Sequence, residues 1–324
     1  MTIGIAEDHR QSGDFAAWSL LAGLGCAIIL LQMWSPLGLD LAGLASLALA
    51  CTGLTAAALF YVFVRPRAQF ATMCLSLMQV LLFTSLGALL SYLVAREGGV
   101  LWDETFSRWD RAIGFDWLAY VRLIDSSAVA VTTLRIAYGS LIPQMIAVVL
   151  ILGFSERTDA LRATMLAAMV SGTITVLLSP LFPAVSNFVY LGVSAADFRH
   201  VNPSAGFIHM AHFNALRDGS LTAIGMSDMQ GIITFPSYHA ALAAVTCWGF
   251  WQSKVAAVRW AGCGIAVLTI VATPVDGGHY LVDLIAGIAV AVASMALANR
   301  AIYWRFPVPV TASPFRRSRG AFAR

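Results

Sequence analysis

Two histidines and an aspartate are the residues whose types and spacing could do chemistry. His239 closes the segment Phe235-Pro236-Ser237-Tyr238-His239, and His279 opens one that runs through Tyr280, Leu281 and Val282 to Asp283. A separation of four stacks His279 and Asp283 on one helix face, where the carboxylate accepts a ring N–H from the imidazole. That contact would fix the tautomer and raise the basicity of the other ring nitrogen, leaving it free to attack phosphorus. Pro236 and the pair Gly277-Gly278 lie where two helices should begin. Unsatisfied backbone N–H groups and the positive ends of two helix dipoles would then face an incoming anion, and a phosphate suits such a place.

The elements that must position these residues are membrane helices. Of 324 residues, 59% are hydrophobic and only 11% charged, with a mean hydropathy of +0.78, whereas soluble globules carry ~25% charged residues. Apolar runs near 15–34, 41–64, 70–95, 128–154, 163–182, 235–252, 260–275 and 280–299 can each cross ~30 Å of hydrocarbon. The expectation is an all-α integral membrane protein of about eight transmembrane helices. It divides into N-terminal spans with an interfacial helix (1–127), a catalytic helical core (128–304) with a long outward loop (184–234), and a basic tail (305–324). Basic residues are retained on the cytoplasmic side during insertion, and 13 of the 20 Lys and Arg fall on one set of flanks. Both termini are therefore expected in the cytoplasm, with His239 and His279 together on the opposite face of a bacterial-type inner membrane. Nothing in the placement of the spans requires that agreement, and histidines on opposite sides could not act together.

A net charge of +3, scattered along the chain, excludes nucleic acid as a partner. Five cysteines, an odd set within apolar runs and without CxxC spacing, imply neither a disulfide framework nor a metal cluster. The N-terminus lacks a signal-peptide layout, so the first span is expected to be retained.

These motifs resemble the type 2 phosphatidic acid phosphatase superfamily, whose second motif is Pro-Ser-Gly-His and whose third ends His-x-x-x-Asp. Pro236, Ser237 and His239 match the second with Tyr238 replacing Gly, and His279 and Asp283 match the third. Within the superfamily, Phe-Pro-Ser-x-His followed by His-Tyr-x-x-Asp-x-x-x-Gly, met by Phe235 to His239 and His279 to Gly287, is most similar to the branch containing inositol phosphorylceramide synthases. The resemblance covers roughly 163–300. It implies a phosphatidic-acid-phosphatase-like helical core and metal-free phosphoryl chemistry with no cofactor. In that chemistry His279 attacks phosphorus, Asp283 orients it, His239 protonates the leaving oxygen and Ser237 helps to hold the phosphate.

Departures from the family pattern bear on the substrate. The third motif of the superfamily begins Ser-Arg, where Ala272 and Thr273 stand, and the Lys and Arg-Pro of the first motif have no counterpart at Ser179 to Pro183. A phosphomonoester brings nearly two charges and a phosphodiester one, and each uncompensated charge near the membrane costs several kcal/mol. A cation-poor site favours a phosphotransferase moving a phosphorylated head group, such as phosphoinositol, from a phospholipid donor to a lipid hydroxyl. With water as acceptor the same residues would make a phosphatase of lipid phosphates or polyprenyl pyrophosphate. A non-enzymatic lipid transporter built on the same core is the third reading.

Arg135, about ~10 Å into the fourth span, is the leading substitute for the missing cations, or else the partner of an internal carboxylate or carbonyls. Arg199, His200 and Arg217 in the long loop could also reach the head group, and Ser237 and Tyr238 complete the expected substrate contacts. Trp102, Phe106, Trp109 and Ile113 recur with helical period between charged residues, which reads as a helix along the interface, an aromatic anchor or a lid. His209 and His212 have a spacing a metal could use, but no acid or Cys cluster accompanies them, so no metal is expected. Asp276 reads as a turn residue ahead of Gly277. Small residues of the second span, including Gly43, Ala45, Ala48, Ala50 and Gly53, suit packing within the chain or against another copy.

Overall fold

The computed structural model describes residues 3–303 other than 36, 41–42, 97–98 and 203, so the basic tail expected from 305 onward lies outside the described residues. In chain order the helices are α1 (Ile3–Trp34), α2 (Leu44–Leu59), α3 (Ala68–Ala95), α4 (Asp103–Ala112), α5 (Trp117–Asp125), α6 (Ala128–Gly139), α7 (Leu141–Phe154), α8 (Thr158–Leu178), α9 (Asn187–Tyr190), α10 (Ser204–Ile208), α11 (Met210–Arg217), α12 (Tyr238–Trp251), α13 (Ala256–Asp276) and α14 (Leu281–Tyr303). A π turn, Phe60–Val64, extends α2.

Among the described residues six helices are long and apolar enough to span a membrane: α1, α2 with its π turn, α3, α8, α13 and α14. The pair α6–α7, bent by 56°, makes a seventh if it is one span. Six or seven of the expected eight spans are thus found by length and composition. The apolar run 235–252 is not helical throughout, because the Ser237 hydroxyl accepts the Ala240 N–H (3.3 Å) and starts α12 only at Tyr238. Its 14 residues rise about 21 Å, short of ~30 Å of hydrocarbon. The break between α6 and α7 also has a local cause. The Ala137 carbonyl accepts from the Ser140 hydroxyl (2.8 Å) and from Thr269 of α13 (2.9 Å), while the Gln144 amide donates to both hydroxyls (2.9 and 2.8 Å). Polar groups inserted into the helical ladder bend it.

The connections on the site's side of the bundle interlock. Strand β1 (Gly38–Asp40) pairs in parallel with β2 (Ala223–Gly225), Arg217 donates to the Gly99 carbonyl, and the Asp125 carboxylate accepts the backbone N–H groups of Arg199, His200 and Val201 at 2.7–2.8 Å. At the other end Arg162 pairs with Asp14 (3.0 Å), Gln69 reaches Glu156 (3.4 Å) and Lys254 donates to the Ser155 carbonyl (3.0 Å). Segments that the charge bias assigns to one side are thus in contact with one another.

Helix α4 does more than present an aromatic stripe. Phe106 is wholly buried and stacks on Phe235 with ring centroids 4.7 Å apart. Asp103 and Asp110 lie buried on that same face. Asp110 accepts the Leu281 and Val282 N–H groups (2.8 and 2.9 Å), capping the first turn of α14, and Asp103 accepts the Val185 N–H (3.0 Å) and the Tyr280 hydroxyl (2.8 Å). Burial pushes both carboxyls above the usual carboxylate range, and these hydrogen bonds pull against it. Loss of such a cap costs ~0.5–2 kcal/mol. Asp110→Ala should therefore lower the thermal unfolding midpoint in detergent, and an unchanged midpoint would show that α14 does not depend on α4.

Candidate active site

His239 stands in the first turn of α12, Asp283 in the first turn of α14, and His279 in the link between α13 and α14. The two helix starts are joined directly: the Ser237 N–H donates to the Asp283 carbonyl (3.0 Å). A Cβ at Gly287 would collide with the Ser237 carbonyl, so this glycine is what lets α14 pass against the start of α12. Gly278 has φ +67°, and a Cβ there would lie 2.8 Å from both Ser186 and Phe188, whose segment is tied to the link by the Asn187 N–H donating to the Gly278 carbonyl (2.8 Å). Both conditions restrict the position to glycine.

His279 Nδ1 lies 3.2 Å from Asp283 Oδ2, and the same oxygen accepts the Tyr280 N–H (2.9 Å). Asp283 is completely buried. Burial holds the His279 imidazole down to about 4, with a backbone contact from Thr234 opposing it, so the ring is neutral at pH 7. An ionised Asp283 can only accept, and in that state Nδ1 carries the proton and Nε2 the lone pair. The His239 ring stacks face to face on Tyr138 of α6, with centroids 4.5 Å apart and planes 8° from parallel.

Both histidines line a cavity of about 360 Å³. Its body is apolar, with Phe83 of α3, Met145 of α7, Met169 of α8 and Leu242 of α12, and residues 229–234 cover one side. Among the described residues no Lys or Arg lines it.

The other expected substrate contacts are dispersed. Ser237 is fully buried and spends its hydroxyl on the α12 cap. Tyr238 lines the cavity and donates to the Ala168 carbonyl (3.1 Å). Arg135, whose side chain is 52% exposed, reaches the His200 carbonyl (3.4 Å) and the Asp276 carboxylate (4.0 Å); its partners are of the carboxylate and carbonyl kind, and it does not line the cavity. Arg199 is exposed, and Arg217 packs over the Phe213 ring at 5.3 Å as well as bonding Gly99. His212 Nδ1 pairs with the Tyr92 hydroxyl (2.7 Å), which also accepts the Gln230 N–H (2.8 Å) and so anchors the long loop to α3. His209 reaches the cavity. Among the described residues no group of three or more His, Cys, Asp or Glu is placed to hold a metal.

The structure thus gathers His239, His279 and Tyr238 around one cavity, with Asp283 buried against His279, and leaves Arg199 and Arg217 apart from it. It adds Tyr138, which sequence reasoning missed because an aromatic in an apolar run looks like any other. Asp103 and Asp110 were missed too, although acids seven apart, sharing a helix face with Phe106, were a readable signal.

A family model for the PAP2 superfamily matches residues 104–297, more than half of the chain, including both histidines, Asp283 and Tyr138. The chain belongs to the PAP2 superfamily. Membership makes it a phosphatase- or phosphotransferase-type protein, and its apolar helices make it an integral membrane one. No curated protein and no solved structure matches it.

Proposed function

We propose that this protein is a lipid phosphotransferase, moving a phosphorylated head group from a phospholipid to a lipid hydroxyl through a phosphohistidine. The observation that carries the choice of substrate is that no described Lys or Arg lines the cavity, while Arg135 faces Asp276. A singly charged diester is tolerated there at several kcal/mol less than a doubly charged monoester. The similarity to the inositol phosphorylceramide synthase branch supports the same choice.

In the first step His239, protonated from solvent as the anionic diester enters beside it, gives that proton to the departing oxygen while His279 Nε2 forms an N–P bond and the P–O bond to the donor alcohol breaks. Asp283 holds the Nδ1 proton throughout. In the second step the acceptor hydroxyl passes its proton to His239 while its oxygen displaces Nε2. No metal ion takes part. Donor and acceptor reach the site from the bilayer on its extracytoplasmic face, with both termini cytoplasmic.

The test is product analysis. Purified protein in vesicles receives phosphorus-labelled phospholipids with or without diacylglycerol, ceramide or a polyprenol. Label should move to a lipid alcohol only when one is present. Release of inorganic phosphate irrespective of acceptor would make the protein a phosphatase instead.

A further inference from the structure

We propose that Tyr138 is a positioning residue for His239, its ring face holding the imidazole on the line of the departing oxygen. The inference rests on the acid–base role given to His239 above and extends it to a residue outside the His and Asp motifs. Parallel stacking at 4.5 Å and 8° fixes the plane of a side chain that no described hydrogen bond is seen to orient. When His239 is protonated, the same ring face attracts the imidazolium, and such attraction is strongest in a desolvated place. Among the described residues no Lys or Arg lines the cavity to compete with it.

The fold is built to place this ring. Tyr138 occupies the last turn of α6, immediately before the 56° break, and the Thr269 hydroxyl of α13 ties the break to the bundle through the Ala137 carbonyl. Beyond the ring, the phenol oxygen approaches Gly277. A Cβ at that glycine would lie 2.9 Å from the phenol oxygen and 2.8 Å from His279 Cδ2. Tyr138 therefore has its ring face on His239, while its phenol oxygen and the His279 ring both border Gly277. Gly277 leaves the room for this.

Two phosphodiester probes separate positioning from general damage. A dialkyl diester expels an alkoxide that needs a proton, whereas a nitrophenyl alkyl diester expels a phenolate that leaves without one. Tyr138→Leu should lose roughly 30-fold on the dialkyl probe, the scale of a desolvated cation–π contact, and little on the nitrophenyl probe. Tyr138→Phe, which keeps the ring face, should recover most of the loss. Because each preparation is compared with itself on the two probes, a partly misfolded fraction cancels.

Equal losses on both probes, or no recovery with Phe, would overturn the role of Tyr138. His239→Ala assayed alongside tells which claim has failed. If it shows the leaving-group dependence and Tyr138→Leu does not, only the positioning claim falls. If it shows none, the acid–base role of His239 falls and takes this inference with it.

Discussion

Replacing His279 with alanine should abolish turnover, with a loss on the order of 10⁶-fold, the scale seen when a covalent enzyme is deprived of its nucleophile. Asp283 Oδ2 still accepts the Tyr280 N–H in such a variant, and the Asp283 carbonyl still accepts from Ser237, so the helix starts stay joined. The loss therefore belongs to the chemistry and not to the fold. Initial transfer rates in vesicles, with thermal midpoints measured on the same preparations, check this. Turnover within tenfold of wild type, at an unchanged midpoint, would reject His279 as the nucleophile.

Asp283→Asn is expected to cost less, about 10⁴-fold, as when an orienting aspartate in another catalytic triad is made neutral and the histidine is left in the wrong tautomer. The carboxylate oxygen now accepts from both the Tyr280 N–H and the His279 ring. With the amide oxygen in the Oδ2 place both contacts survive, but the negative charge that raises the basicity of Nε2 is gone and the NH2 group stands where Oδ1 has no partner. With the NH2 group there instead, Nδ1 must accept, and the remaining ring proton moves to Nε2 and occupies the lone pair that should attack phosphorus. Single-turnover rates for wild type and the Asn variant decide the matter, and comparable rates would leave Asp283 as a structural partner only.

What could be read from the chain was whatever depends on short spacings or on long apolar runs. His279 and Asp283 are one helical turn apart, and the topology brings His239 to the same end, so the constellation was legible without a fold. The family match supports the helical core. The start of the helix within 235–252 was not legible, because hydropathy does not register that a buried serine cap delays α12. Nor could spacing reveal what α4 faces: its apolar stripe was plain, but its Asp110 caps α14 about 170 residues away. Arg135 illustrates the same limit, since Asp276 and His200 become its partners only through packing of α6 against α13 and the long loop. Tyr138 owes its place to Ser140, Gln144 and Thr269, three polar residues in otherwise apolar helices that together break one of them.

The most direct test of the mechanism is to find the covalent intermediate. Purified protein is given a phospholipid donor with lipid alcohol withheld, quenched, digested under alkaline conditions and examined by mass spectrometry. An acid-labile, alkali-stable phosphoryl group on the peptide that carries His279, missing from His279→Ala and discharged by adding a lipid alcohol, is the predicted result. Turnover of the donor with no such group on His279, or with the group on another residue, would contradict it.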